Sequence, residues 1–165
     1  MSLELSHPQP LSAAHRLEGF SSGEPALDEW LRRRALVNQG NGASRTFVVA
    51  DASGQVLGYY AMAAGAVSHQ DSPGSIRRNM PDPVPVMVLA RLAVDQRLQG
   101  RQVGGALLQD ALRRALSVAQ DVGVRALLVH ALNERAARFY THYGFMPSPA
   151  HPMTLMLPLH VRSGH

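Results

Sequence analysis

Cysteine is absent from this chain of 165 residues, and so is lysine: all 16 Lys+Arg positions are arginine. Without a thiol there is no disulfide framework, no thiolate metal site and no cysteine nucleophile. Without lysine, a phosphate loop of the kind that ends in Gly-Lys-Ser/Thr is excluded. Long apolar runs are missing as well; no stretch reaches the roughly 20 residues that a membrane-spanning helix needs. The segment MSLELSHPQPLSAAHRLEGF carries no basic stretch followed by an apolar one, so no signal peptide, no membrane association and a cytoplasmic location are expected. No internal repeat or low-complexity block is present.

What is there is an ordinary globular composition, 45% hydrophobic and 17% charged. It predicts a single domain over 1–165, with 1–16 as an N-terminal arm or first strand. The net charge of +4 and the pI near 10.3 favour an anionic partner, and arginine's forked, planar donors suit phosphate. The eight histidines form no spaced cluster, and no metal site is expected.

The order of elements follows from periodicity. SSGEPALDEWLRRRALVNQ reads as a helix with Ser21 or Ser22 near its start and Pro25 in its first turn. Leu27, Trp30, Leu31, Ala35 and Val37 share its apolar face. Arg32 and Arg33 point away, whereas Arg34 falls inside the apolar arc, where an internal acid or a second subunit would have to meet it. RTFVVAD and QVLGYYAMAAGAV read as strands joined by the hairpin signal Asp51-Ala52-Ser53-Gly54. A Pro- and Gly-rich loop from Ser68 to Pro85 carries Arg77-Arg78 and leads into the central strand VPVMVLARLAVD. After the glycine segment RLQGRQVGGALL, a helix keeps Val103, Leu107, Ala111, Ala115 and Val118 in register. RALLVHAL is a buried strand, within which His130 reads as a satisfied core residue. NERAARFYTHYGF is a helix with Asn133 as N-cap and Gly144 as stop, and MTLMLPL closes the sheet. The alternation predicts an α/β (α+β) fold, a mixed central sheet flanked by helices.

A strand, a glycine turn and a helix in succession make an anion site. The first helical N–H groups lack internal partners, and glycine lets a ligand approach the backbone closely. The spacing of Gly100, Gly104 and Gly105 does not fit the dinucleotide pattern G-x-G-x-x-G. Arg101-Gln102-Val103-Gly104-Gly105-Ala106 instead has the form Q/R-x-x-G-x-G/A, at which point the chain resembles the GNAT N-acetyltransferases. Asn133 through Tyr140 followed by Tyr143-Gly144-Phe145 resembles the second segment of that family, N-x-x-A-x-x-F-Y-x-x-x-G-F. The resemblance covers roughly Leu17 to Leu159 and implies the GNAT fold with acetyl-CoA as cofactor. It implies that Leu92, Ala93 and Val94 meet the pantetheine arm. Gln99, Gly100, Arg101, Gln102, Val103, Gly104, Gly105 and Ala106 would hold the pyrophosphate. Asn133, Ala136 and Phe139 would border the cofactor.

Acetylation of an amine needs a neutral nucleophile and a proton for the departing thiolate. By the resemblance Tyr140 is the general acid, and a phenol with a pKa of roughly 10 keeps its proton at neutral pH. Periodicity alone would make it packing, since Ala136, Phe139, Tyr140 and Tyr143 form an i, i+3, i+4, i+7 stripe. Neither Glu134, favoured in a first helical turn by the dipole, nor Asp95, at a turn, reads as a base.

The first helix, the hairpin and the Arg77-Arg78 loop are similar to one branch of the family, the acetyltransferase toxins of bacterial toxin–antitoxin pairs. That likeness implies acetylation of the α-amine of aminoacyl-tRNA, arrest of translation and neutralisation by a ribbon–helix–helix antitoxin that binds operator DNA. It also implies a homodimer. A free α-amine has a pKa near roughly 8, and an adjacent ester lowers it, so this substrate needs little help from a base. Arg32, Arg33, Arg77, Arg78 and Arg91 are the candidates for the tRNA backbone. Two other readings stand beside this one: an acetyltransferase of a small-molecule or protein amine, and a non-catalytic acyl-CoA-binding regulator.

Overall fold

The computed structural model describes residues 4–160; residues 1–3 and 161–165, the two ends of the expected domain, lie outside the described residues. Seven strands make one mixed sheet in the order β1-β2-β3-β4-β5-β7-β6: β1 (Gln9–Pro10), β2 (Arg45–Ala50), β3 (Val56–Val67), β4 (Val84–Val94), β5 (Ala126–His130), β6 (Met146–Pro147) and β7 (Thr154–Pro158). The helices are α1 (Pro25–Trp30), α2 (Leu36–Gly40), α3 (Gly74–Arg77), α4 (Val103–Asp121) and α5 (Glu134–His142). Each expected strand is present, and the expected mixed sheet with flanking helices is the architecture. The residues group into two compact units, described separately: Met1–Ala63 with Ala90–Ala111, and Ala64–Leu89 with Leu112–His165.

In the first unit β1, β2 and β3 pair antiparallel, and the turn between β2 and β3 is the one that the sequence signals. The Asp51 carboxylate accepts from the Ser53 and Gln55 amides at 2.9 and 3.0 Å, and Gly54 has φ +85°. Leu11, Phe20, Leu31, Ala35, Val48, Val56, Tyr59 and Ala93 form the core here. Gly58 on β3 admits the start of α4. A Cβ there would stand 2.9 Å from Val49 Cγ2 and 3.1 Å from Leu107 Cδ1. Gly58→Val is therefore expected to cost about 2 kcal/mol by overpacking and to lower Tm by roughly 4–8 °C in a thermal melt.

The first helix begins at Pro25, expected in its first turn, with Glu24 as N-cap and Ser22 just ahead of it. The Ser22 amide and hydroxyl donate to the buried Asp28 carboxylate at 3.0 and 2.6 Å. Past Trp30 the helix widens into a π-turn over Leu31–Ala35, then resumes as α2. The wider turn resets the phase, so a face drawn with 3.6 residues per turn does not continue through it. Leu31 and Ala35 are buried, while Arg32, Arg33 and Arg34 are all exposed. Arg34 thus leaves the apolar arc and donates to Asn38 Oδ1 at 2.8 Å, and no acid engages it among the described residues. Val37, expected on the apolar face, is 54% exposed for the same reason.

In the second unit β4 and β5 run parallel, with Val86–Leu89 opposite Ala126–Val129, and β5 is antiparallel to β7. Val67, Ile76, Val84, Val86, Ala126, Leu128 and Met156 are its core. The loop after β3 holds a short helix, α3, and Arg125 donates to the carbonyls of Ile76 and Ser75, both at 3.2 Å. His130 is not a core residue: it ends β5 exposed, its ring 3.0 Å from Thr154 Oγ1.

Candidate functional site

The glycine segment lies in the first unit and starts from a pinned strand end. Asp95, 2% exposed, follows β4 and accepts from the Ser21 amide at 3.0 Å. It also accepts from the Arg97 amide at 2.9 Å and from Arg97 Nε and Nη2 at 2.9 and 3.2 Å. Burial works to raise this carboxyl, but the Arg97 guanidinium and the two amides outweigh it and hold Asp95 below the ordinary aspartate range. A carboxyl held low in the folded state stabilises the fold above its unfolded pKa and loses that contribution as the pH falls through its folded value. Asp95→Asn is expected to cost about 1–3 kcal/mol at pH 7. The cost should begin to shrink below about pH 4, where the unfolded carboxyl gains its proton, and should vanish once the pH falls through the lower folded value. Urea titrations at pH 7 and pH 3 would measure the difference.

Beyond Asp95 the chain makes one 3-10 turn over Gln96–Leu98 and enters the loop proper. Gly100 has φ +81°, and nothing stands within 4 Å of where its Cβ would be. Gln102 also has a positive φ, 63°, which is uncommon for a residue with a side chain. The helical ladder of α4 opens with the Ala106 amide on the Gln102 carbonyl at 3.1 Å. The amides of Val103, Gly104 and Gly105 therefore precede the ladder at the N-terminus of a 19-residue helix. Two adjacent glycines, a left-handed turn and the positive end of a long helix fit the pyrophosphate of acetyl-CoA. Arg101 is exposed beside them, and no side-chain partner engages it among the described residues. Gln99 braces the loop from within, its Nε2 donating to the carbonyls of Ser22 and Val94 at 2.7 and 3.1 Å.

The end of β4 separates its residues by parity. The Asp95 amide donates to Leu57 O on β3 at 2.9 Å. Backbone groups alternate between the two edges of a strand, so those of Ala93 face β3 as well and those of Leu92 and Val94 face the opposite edge. The parallel ladder ends at Leu89, five positions before the end of β4 at Val94. Leu92 and Val94 turn their backbone groups to that edge, where the Val94 carbonyl accepts from Gln99. Ala93 does not, and its side chain sits in the core with Leu31 and Tyr59.

The expected cationic residues differ in what already engages them. In the first unit Arg32 donates to the Phe20 carbonyl at 3.0 Å, and Arg33 stands 3.9 Å from Glu29 in an exposed i, i+4 pair. Arg91 lies over the Trp30 ring at 5.2 Å from its centroid. In the second unit Arg77 donates to the His69 carbonyl at 3.3 Å, while Arg78 is exposed without a side-chain partner among the described residues.

Tyr140 belongs to the second unit, on α5. Asn133 caps that helix as expected, its Oδ1 accepting from the Ala136 amide at 2.9 Å. The chain leaves α5 at Gly144 with φ +94°. Tyr140 is 6% exposed, its ring edge-on to Phe139 and to Phe145 at 5.1 and 5.4 Å. Burial pushes its phenol well above the ordinary tyrosine value. The phenol therefore keeps its proton at physiological pH.

Two features go unread in the sequence. Tyr60 donates to the Asp110 carboxylate, both buried, at 2.5 Å. A signal exists for this pair: Asp110 lies three residues after Leu107, on the apolar side of α4. The other is the ring stack of Trp30 on Tyr59, 6.0 Å and 8° apart, beneath Arg91. It joins α1, β3 and β4, and no local pattern announces it. Among the described residues no group of three His, Asp or Glu side chains is placed to hold a metal ion, and no helix is long and apolar enough to cross a membrane.

Residues 43–147 match the acetyltransferase (GNAT) domain. A tRNA-acetylating toxin of Mycobacterium tuberculosis is 53% identical over 152 residues, covering 92% of this chain and 91% of that protein. Among solved structures, AtaT complexed with acetyl-methionyl-tRNAfMet is similar with a TM-score of 0.87 at 30% identity, covering 94% of this chain and 95% of the other. A tyrosine-to-phenylalanine mutant of the AtaT toxin, bound to the C-terminus of the antitoxin AtaR and acetyl-CoA, is similar with a TM-score of 0.81 at 29% identity, covering 94% and 93%. With its glycine loop at the head of α4 and its buried tyrosine on α5, this chain belongs to the GNAT acetyltransferase family.

Proposed function

We propose that this protein is the toxin of a toxin–antitoxin pair: an acetyl-CoA-dependent N-acetyltransferase that acetylates the α-amine of aminoacyl-tRNA and so blocks translation. The observation that carries this reading is the 53% identity, over 92% of the chain, to a protein that acetylates tRNA. When bound, acetyl-CoA supplies the activated acetyl group. This chain's residues bind, orient and hold a proton. The amides of Val103, Gly104 and Gly105, with Arg101, bind the pyrophosphate, and the edge groups of Leu92 and Val94 orient the pantetheine arm. Asn133, whose Oδ1 is committed to the helix cap, has its amide nitrogen left for the cofactor. Phe139 and Ala136 border the same helix face, and Tyr140 holds at its Oη the proton destined for the departing thiolate.

The nucleophile needs no strong base on the protein. The ester keeps the α-amine of a charged tRNA partly neutral near pH 7, and a raised Tyr140 phenol could not take its proton in any case. Arg32, Arg33, Arg77, Arg78 and Arg91 hold the tRNA backbone through phosphate contacts, which are sequence-tolerant and salt-sensitive. A ribbon–helix–helix antitoxin, itself bound to operator DNA, neutralises a homodimer of this chain in the cytoplasm. The partners are tested by expression in a bacterial host. The protein alone is expected to arrest growth, and co-expression of a short ribbon–helix–helix protein encoded beside it is expected to relieve the arrest. Normal growth with the protein alone would overturn the toxin reading.

A further inference from the structure

One guanidinium in the first unit is built into the fold without being neutralised by it. Arg91 is half-buried near the end of β4, one residue before Leu92. Its Nη1 donates to the Ala90 carbonyl at 2.8 Å, and its Cζ lies 5.2 Å from the centroid of the Trp30 ring. No carboxylate engages it among the described residues, and most of its five donors have no partner among them. Its support, by contrast, is firm. Trp30 stacks on Tyr59, which is wholly buried, meets Phe20 edge-on at 5.6 Å and donates to the Leu27 carbonyl at 2.7 Å. Surface arginines usually move freely in solvent. This one is held against an aromatic face by a core tyrosine, and side chains at 91, 93 and 95 share one face of β4.

We infer that Arg91 takes a phosphodiester oxygen at the 3′ end of the charged tRNA, and that Trp30 is the positioning residue that aims its guanidinium. The inference rests on the reading of Leu92 and Val94 as the cofactor edge and of aminoacyl-tRNA as the substrate. An amine acetylated at that edge must arrive beside Arg91, and in a charged tRNA the anion nearest to the amine is the phosphodiester of the terminal nucleotide. A polyamine or a protein amine carries no such group. Arg91 therefore selects a substrate class as well as adding affinity, and the fork of an arginine suits a phosphate as a lysine does not.

The test compares Arg91→Lys, Trp30→Leu and Trp30→Phe with wild type on two acceptors, charged tRNA and the matching aminoacyl-adenosine, which has no phosphate. For Arg91→Lys, kcat/KM on charged tRNA relative to that on aminoacyl-adenosine is expected to fall about tenfold, through KM and not kcat. The slope of log KM for tRNA against log salt should also change by about one unit when Arg91 is replaced by methionine. Trp30→Leu should show the same selective loss on charged tRNA in weaker form, and Trp30→Phe, which keeps an aromatic face, should recover the wild-type ratio. Equal losses on both acceptors would overturn the inference, as would a rise in KM for acetyl-CoA instead, which would assign the anion to the cofactor. If wild-type protein acetylates charged tRNA and Arg91→Lys does so equally well, only this inference fails. If wild-type protein leaves charged tRNA unmodified, the functional reading fails with it.

Discussion

Tyr140→Phe is expected to lower kcat by about 10²- to 10⁴-fold, the range that a positioned general acid contributes. KM for acetyl-CoA and the melting temperature should remain close to wild type. The substitution separates two roles that the sequence leaves superimposed. As packing, Tyr140 fills the space between Phe139 and Phe145, and phenylalanine keeps that ring in place. As an acid, it offers only its hydroxyl, and phenylalanine removes that alone. Burial raises the phenol, so the protonated form persists past the ordinary tyrosine range, and the wild-type rate should show no alkaline fall caused by Tyr140 below about pH 10. In cells the same substitution should abolish growth arrest while the protein still accumulates. Wild-type kcat in the purified variant would return Tyr140 to a packing role.

Gly104→Asp is expected to weaken acetyl-CoA binding on the order of 100-fold, measured by titration calorimetry. Gly104 lies in the first turn of α4, among the amides that precede the helical ladder. A carboxylate there takes up those amides and repels a pyrophosphate. Each charge-assisted hydrogen bond lost is worth about 1.5–3 kcal/mol, and every ~1.4 kcal/mol is tenfold in affinity. The same carboxylate is favoured by the helix dipole, and replacing a glycine within a helix reduces the backbone entropy lost on folding. Thermal stability should therefore hold or rise while binding falls. This opposition of sign distinguishes a lost ligand from a damaged fold. Binding within twofold of wild type would remove the anion from this loop.

The features legible in the sequence are those that neighbouring residues determine. The hairpin at Asp51–Gly54, the Asn133 cap, the Gly144 stop and the glycine loop each depend on residues a few positions apart. Each is found where the pattern places it. The π-turn over Leu31–Ala35 is not legible, because a helical wheel assumes the period that this turn breaks. Both Arg34 and Val37 are misplaced by the wheel for that one reason. Ala93 reads as part of a run with Leu92 and Val94, although the alternation of a strand turns it to the other edge. The Asp95 cap is visible as a turn, but its Ser21 contact, 74 positions away, is not. The stack of Arg91, Trp30 and Tyr59 brings together three elements, and only folding makes it a feature. Structure is thus readable where helix ends and glycines make it, and hidden where contacts between distant elements do.

The measurement that bears most directly on the account is mass analysis of the amino acids released from charged bulk tRNA after incubation with this protein and acetyl-CoA. N-acetylated amino acids are expected, formed in amounts that track added enzyme and absent with Tyr140→Phe. Charged tRNA left unmodified, with a polyamine or a protein amine acetylated in its place, would contradict the proposed function.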